Sequence, residues 1–216
     1  MNISPAKCNN LGFKSKIVFI PSNAFDGNTA KFFYCRSKSN SICDSMVKAA
    51  DVWTEEIRTC TGGGIVGNGE VLGFHFYDSL NTLNNIKDEL AGKIAEFGKN
   101  FKSALMIGSK KTEDDVSTKV FNVTLDEIKK VTKPSIFREY TNLSAQSNIK
   151  FVSAEDTWFV NTNYLKCPGY LASEEDVKSL ESLRKSFKEI QIAPQDRLFI
   201  GEKEITRDMC PDIFIQ

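Results

Sequence analysis

Hydrophobic and polar positions along the chain follow two periods. Short β-branched and aromatic runs at residues 16–20 and 29–36 predict strands, joined through Asp26-Gly27 as a meander or hairpin. Ile42, Met46, Ala49 and Ala50 have helical spacing and predict a helix over residues 42–52. Residues 59–66 and 70–77 read as two strands around Gly67-Asn68-Gly69, and Asn-Gly between such runs is a strong hairpin signal. After Asp78 and Ser79, either a suitable N-cap, Leu83, Ile86, Leu90, Ile94 and Phe97 recur at three and four residues, which predicts an amphipathic helix ending at Gly98.

The second half continues in the same mixed manner. Residues 103–107 form a buried-strand pattern, and Thr124-Leu125-Asp126-Glu127 has the form of a capping box, predicting a short helix to about Thr132, before Pro134. Strands are expected again at residues 149–153 and 157–160. A helix capped at Ser173 follows, with Val177, Leu180, Leu183, Phe187 and Ile190 on one face, and then a last strand at residues 197–200. The expected class is α/β of the α+β kind, hairpin-rich mixed sheet layers packed with helices. Neither a repeat nor a linker divides the 216 residues, so they read as one domain, with residues 169–216 as a C-terminal decoration.

Composition narrows the chemistry. Lys plus Arg and Asp plus Glu both number 28, which removes the electrostatic footprint of a dedicated nucleic-acid binder. No stretch approaches the ~20 apolar residues of a membrane span, and the first nineteen residues are too broken for a signal-peptide core, so the expectation is a protein made soluble in a cytosol. Six cysteines without a CxxC pair read as thiols rather than a disulfide framework. Histidine occurs once, so any metal or catalytic site needing two from this chain is excluded, and no metal or cofactor is expected.

Residues 51–79 concentrate what remains. Gly62-x-Gly64-x-x-Gly67 matches a dinucleotide-binding spacing, but that motif must follow a strand and open a helix, whereas here it lies inside a hairpin. The glycines read instead as places of close approach. Cys60 heads one arm and His75 ends the other. Counting from Asn68 places them opposite or one step apart, so the hairpin would bring a thiol and an imidazole together. Such a pair is the minimum apparatus for attack on an amide carbonyl, while a lone buried cysteine is ordinarily a small hydrophobe.

The run from Thr54 through Cys60 to Gly73-Phe74-His75 resembles the active-site region of the chemoreceptor glutamine deamidase family (CheD), in which a threonine, a cysteine heading a strand and a histidine on the next strand form the site. The cytotoxic necrotizing factor toxins share that fold and its Cys-His pair, and the protein N-terminal asparagine amidohydrolases place a cysteine similarly. The likeness covers residues 42–109, taking in the helix at 80–97 and the strand 103–108. Thr59-Cys60-Thr61-Gly62-Gly63 departs from the family's usual small-residue run, and the proline that follows the family's histidine is absent from Phe76-Tyr77-Asp78.

The resemblance implies a CheD-like or cytotoxic necrotizing factor-like catalytic domain and a cysteine-dependent glutamine deamidase, converting protein Gln to Glu or transglutaminating with a primary amine. Cys60 would be the nucleophile, His75 the acid–base and Thr54 the orienting hydroxyl, with Thr59 and Thr61 as rivals for that last role. The expected setting is a bacterial effector or toxin, exported by a specialised secretion system and acting on a host protein, with neither nucleic acid nor membrane as partner. The competing readings are a non-enzymatic binding domain with an inert Cys60, and a cysteine protease or deubiquitinase, whose nucleophile sits on a helix.

Overall fold

The computed structural model describes residues 15–19, 33–34, 45–140, 145–164 and 180–216. Over them the chain runs β1 (Lys16–Phe19), β2 (Phe33–Tyr34), β3 (Met46–Ala49), β4 (Val52–Ile57), β5 (Thr61–Gly67), β6 (Glu70–Phe76), α1 (Leu80–Phe97), β7 (Phe101–Lys110) and α2 (Val116–Lys129). It continues as β8 (Pro134–Tyr140), β9 (Ala145–Val152), β10 (Thr157–Tyr164), α3 (Leu180–Ser186), β11 (Glu189–Gln191), β12 (Arg197–Ile200) and β13 (Lys203–Ile205). One sheet has the order β13-β12-β1-β10-β9-β4-β2, the other β11-β8-β7-β5-β6-β3. Both mix parallel and antiparallel pairs, so the class is mixed α/β.

Two apolar cores fix the layering. Ile17, Phe19, Val52, Ile57, Ile149, Phe151, Trp158 and Val160 of the first sheet pack against Val66, Val71, Leu105, Ile107 and Phe137 of the second. The second sheet's other face, with Ile65, Leu72, Phe74, Phe76, Ala104, Met106 and Ile136, packs on α1 and α2. The order is therefore sheet, sheet, helices. The second sheet is the middle layer, which explains why β5, β6 and β8 are buried on both faces instead of alternating.

The hairpin and α1 form where the sequence places them. Asn68 and Gly69 both take positive φ, 54° and 76°, the backbone a two-residue turn needs to match strand twist. Ser79 Oγ accepts from the Thr82 N–H at 3.1 Å to cap α1, and Gly98 closes it at φ 123°. Ile86, Leu90, Ile94 and Phe97 are the buried stripe between those caps. Each such burial contributes roughly 1.5–3 kcal/mol, more than helix propensity supplies.

Other expectations are corrected. β1 and β2 do not pair: β10, β9 and β4 lie between them, and the Asp26-Gly27 turn lies outside the described residues. Of the helix expected at 42–52, the described part is strand: Met46–Ala49 pairs with β6 and Val52 opens β4, because edge and cross-sheet pairing override a short helical spacing. α2 begins eight residues before the expected box, capped by Asp115 Oδ1 on the Ser117 N–H at 2.9 Å. Thr124 lies inside it, donating to Val120 O at 2.8 Å.

β8 was hidden by Pro134, tolerated as first residue of a strand, and by the charges of Arg138 and Glu139. The helix expected from Ser173 to Ile190 ends at Ser186, since Ile190 pairs with Phe137 in β11; Ser173 and Val177 lie outside the described residues. The described part of the C-terminal region supplies β11 to one sheet and β12 and β13 to the other. Among the described residues no helix is long and apolar enough to cross a membrane.

Candidate active site

β4 carries Thr54 and β6 carries His75, so the two approach from different sheets. His75 lies between Phe74 and Phe76, which point to the helices, and strand alternation turns its ring toward the first sheet. There Thr54 Oγ1 lies 2.6 Å from His75 Nδ1, with both residues about 1% exposed. The hydroxyl at hydrogen-bond distance from the imidazole is thus that of Thr54, rather than of Thr59 or Thr61. The Tyr77 ring stands next to it, 5.6 Å between centroids.

A β-bulge makes this contact. Thr54 pairs with Ile149 and Ile57 with Ser147, so three steps on β4 oppose two on β9. Without the extra residue, Thr54 and Ile57 would face opposite ways; with it, both are buried in the inter-sheet layer. Glu56 takes φ 57°, a left-handed conformation costly for a side chain, and its N–H is held by Asn148 Oδ1 at 2.9 Å. Asn148 Nδ2 donates in turn to Asn161 Oδ1 at 3.0 Å. Nothing in the sequence at Glu55 and Glu56 marks a bulge.

The glycines set how closely the sheets approach. A Cβ on Gly62 would stand 2.3 Å from Ile57 Cδ1, and one on Gly64 2.9 Å from Trp158 Cη2, both side chains of the first sheet. Their absence lets Ile57 and Trp158 press onto β5 and brings β4, with Thr54, within reach of His75. The Gly62-x-Gly64-x-x-Gly67 run is a packing surface inside an antiparallel hairpin, without a helix at its end.

Cys60 stands one residue before β5, a reduced and buried thiol about 9% exposed, in the inter-sheet core with Ile107 and Val71. His75 pairs with Gly62, so by the β5–β6 register it lies two steps along from Cys60 rather than opposite or one step apart, and both residues lie on the inter-sheet side. The turn is Asn68-Gly69, which puts the symmetry point between them and shifts the register beyond the count from Asn68. Cys60 heads a strand and not a helix, which removes the feature a protease or deubiquitinase reading needs.

The bend leading to Cys60 is tethered from both sides. Arg58 Nε and Nη2 donate to Gln146 Oε1 on β9, at 3.3 and 3.2 Å. On the other side Ser117, in the first turn of α2, donates its hydroxyl to Thr59 O at 2.5 Å. Sequence reasoning missed both tethers, since their partners are 88 and 58 residues away. Among the described residues no group of three or more His, Cys, Asp or Glu is gathered that would hold a metal ion. No protein-family model matches the chain, and no curated protein matches it in sequence.

Proposed function

We propose that this protein is a cysteine-dependent protein-glutamine deamidase, built on a domain of the CheD and cytotoxic necrotizing factor kind. The observation that carries the reading is the 2.6 Å contact between Thr54 and His75, formed across two sheets, with Cys60 on the same face as the imidazole. A scaffold hairpin has no need of a bulge with a strained Glu56 to deliver a hydroxyl to a histidine.

In the reaction, Cys60 gives its proton to the imidazole and its sulfur attacks the γ-carboxamide carbon of a protein glutamine. The S–C bond forms while the carbonyl π pair moves to oxygen, and backbone N–H groups at Cys60 stabilise that oxyanion. Collapse breaks the C–N bond, and His75 protonates the leaving ammonia. Water then adds to the thioester, giving glutamate and restoring the thiol; a primary amine in its place gives transglutamination. Thr54, accepting from Nδ1–H, fixes the ring so that the unprotonated Nε2 takes the thiol proton and passes it to ammonia. The substrate class is a protein of a host cell, reached as a bacterial effector through a secretion system.

The burial of Cys60 and His75 favours one other reading, a binding domain in which both are core residues. Alkylation separates the two. In the enzyme, iodoacetamide at neutral pH labels Cys60 ahead of the other five cysteines, and His75→Ala removes that advantage. Labelling of Cys60 at an equal or slower rate than the rest contradicts the enzyme.

A further inference from the structure

The nucleophile's own peptide is gripped by a residue outside the Thr54-Cys60-His75 constellation. Ser117 is about 1% exposed, and its hydroxyl donates to Thr59 O at 2.5 Å. It is held in place by the Asp115 cap on its N–H, and the Ser109 hydroxyl lies 3.4 Å from its own. Ser109 follows Ile107 by two residues, as Cys60 precedes Gly62 by two, and Ile107 pairs with Gly62, so Ser109 continues the β7 ladder to the level of Cys60.

Thr59 O and the Cys60 N–H belong to one peptide group. That group is planar and trans, so its carbonyl and its N–H point in opposite directions and rotate together. Fixing the carbonyl from the α2 side therefore fixes where the Cys60 N–H points. A hydrogen bond to the carbonyl also polarises the amide and strengthens that N–H as a donor. We propose that Ser117 is the positioning residue of the oxyanion hole, acting through the Thr59–Cys60 peptide, with Ser109 supporting it. This inference rests on Cys60 being the nucleophile.

Two probes of the thiol separate this role from a structural one. p-Nitrophenyl acetate acylates a thiolate through an oxyanion: the S–C bond forms, the ester C–O bond breaks, and p-nitrophenolate leaves. Iodoacetamide alkylates the same sulfur with loss of iodide, and no oxyanion forms. Labelling of the Cys60 peptide, followed by mass spectrometry, gives both rates.

Ser117→Ala should slow acylation about tenfold, below the ~10²–10³ that losing an entire donor costs, and leave alkylation and the melting midpoint unchanged. Ser117→Thr should restore acylation. Equal acylation in Ser117→Ala and wild type overturns the inference while Cys60 remains the nucleophile. Equal slowing of both reactions overturns it too, because a loosened fold would act on both. A wild-type Cys60 that is neither acylated nor alkylated ahead of the other cysteines removes the nucleophile, and the inference with it. If Ser117→Ala does not fold, Ser109→Ala decides: slower acylation with unchanged alkylation supports the role, and two unchanged rates overturn it.

Discussion

A hydroxyl can aim an imidazole, but unlike a carboxylate it does not neutralise the imidazolium that forms during proton transfer. Thr54→Ala should therefore lower the deamidation rate about five- to tenfold, the worth of an ordinary ~1 kcal/mol hydrogen bond. Cys60→Ser and His75→Ala should each abolish turnover with the fold intact, because each removes a partner in the covalent step. If Thr54→Ala is as inactive as Cys60→Ser and equally stable, the orienting role is wrong. At this scale the hairpin that carries His75 was readable in the sequence from its Asn-Gly turn, whereas its register, with His75 opposite Gly62, was not. The support was not: Asn148 holds Glu56 across 92 residues and Ser117 reaches Thr59 across 58.

Among the elements, β5 carries the tightest constraint. Gly62 faces the flexible end of Ile57 in the first sheet, whereas a Cβ on Gly63 would stand 2.1 Å from the Leu105 carbonyl oxygen of β7. Backbone in a paired ladder cannot retreat as an isoleucine tip can. Gly63→Ala should thus destabilise the protein by about 3 kcal/mol, the upper part of the overpacking range, read as a lower urea midpoint. Gly62→Ala should cost less, since Ile57 can change rotamer, but it should slow the reaction by moving β4. A Gly63→Ala midpoint equal to wild type would contradict the packing described. The β5–β6 hairpin and α1 were visible in the sequence because an Asn-Gly turn, a serine cap and a terminal glycine are local signals. β3, β4 and β8 were not, because they are strands only by virtue of partners: β6 for β3, β9 for β4, β7 for β8.

For the whole molecule, the junction of the two sheets makes stability depend on pH. Asp196, just before β12, is about 5% exposed and accepts from Ser135 Oγ of β8 at 2.6 Å. Burial, reinforced by Asp156, raises its pKa to about 7 against the opposing pull of Ser135 and Lys102. The folded state then holds a proton that the unfolded chain releases near pH 4, so this group's contribution is full below that point and is lost as pH rises to about 7. About three units correspond to ~4 kcal/mol. Asp196→Asn should remove this fall and be the more stable protein at pH 8 in urea; parallel pH profiles for variant and wild type would contradict it. The layered class was expected from the alternation of strand and helix signals, but the pairing of Asp196 with Ser135 depends on how the sheets meet. The central claim, that Cys60 converts protein glutamine to glutamate, is tested most directly by incubating a host-cell lysate with wild type and with Cys60→Ala and searching all peptides for Gln-to-Glu conversion by mass spectrometry. The account predicts a defined set of converted glutamines with wild type alone. Identical peptide masses in the two lysates, or the same conversions with Cys60→Ala, would contradict it.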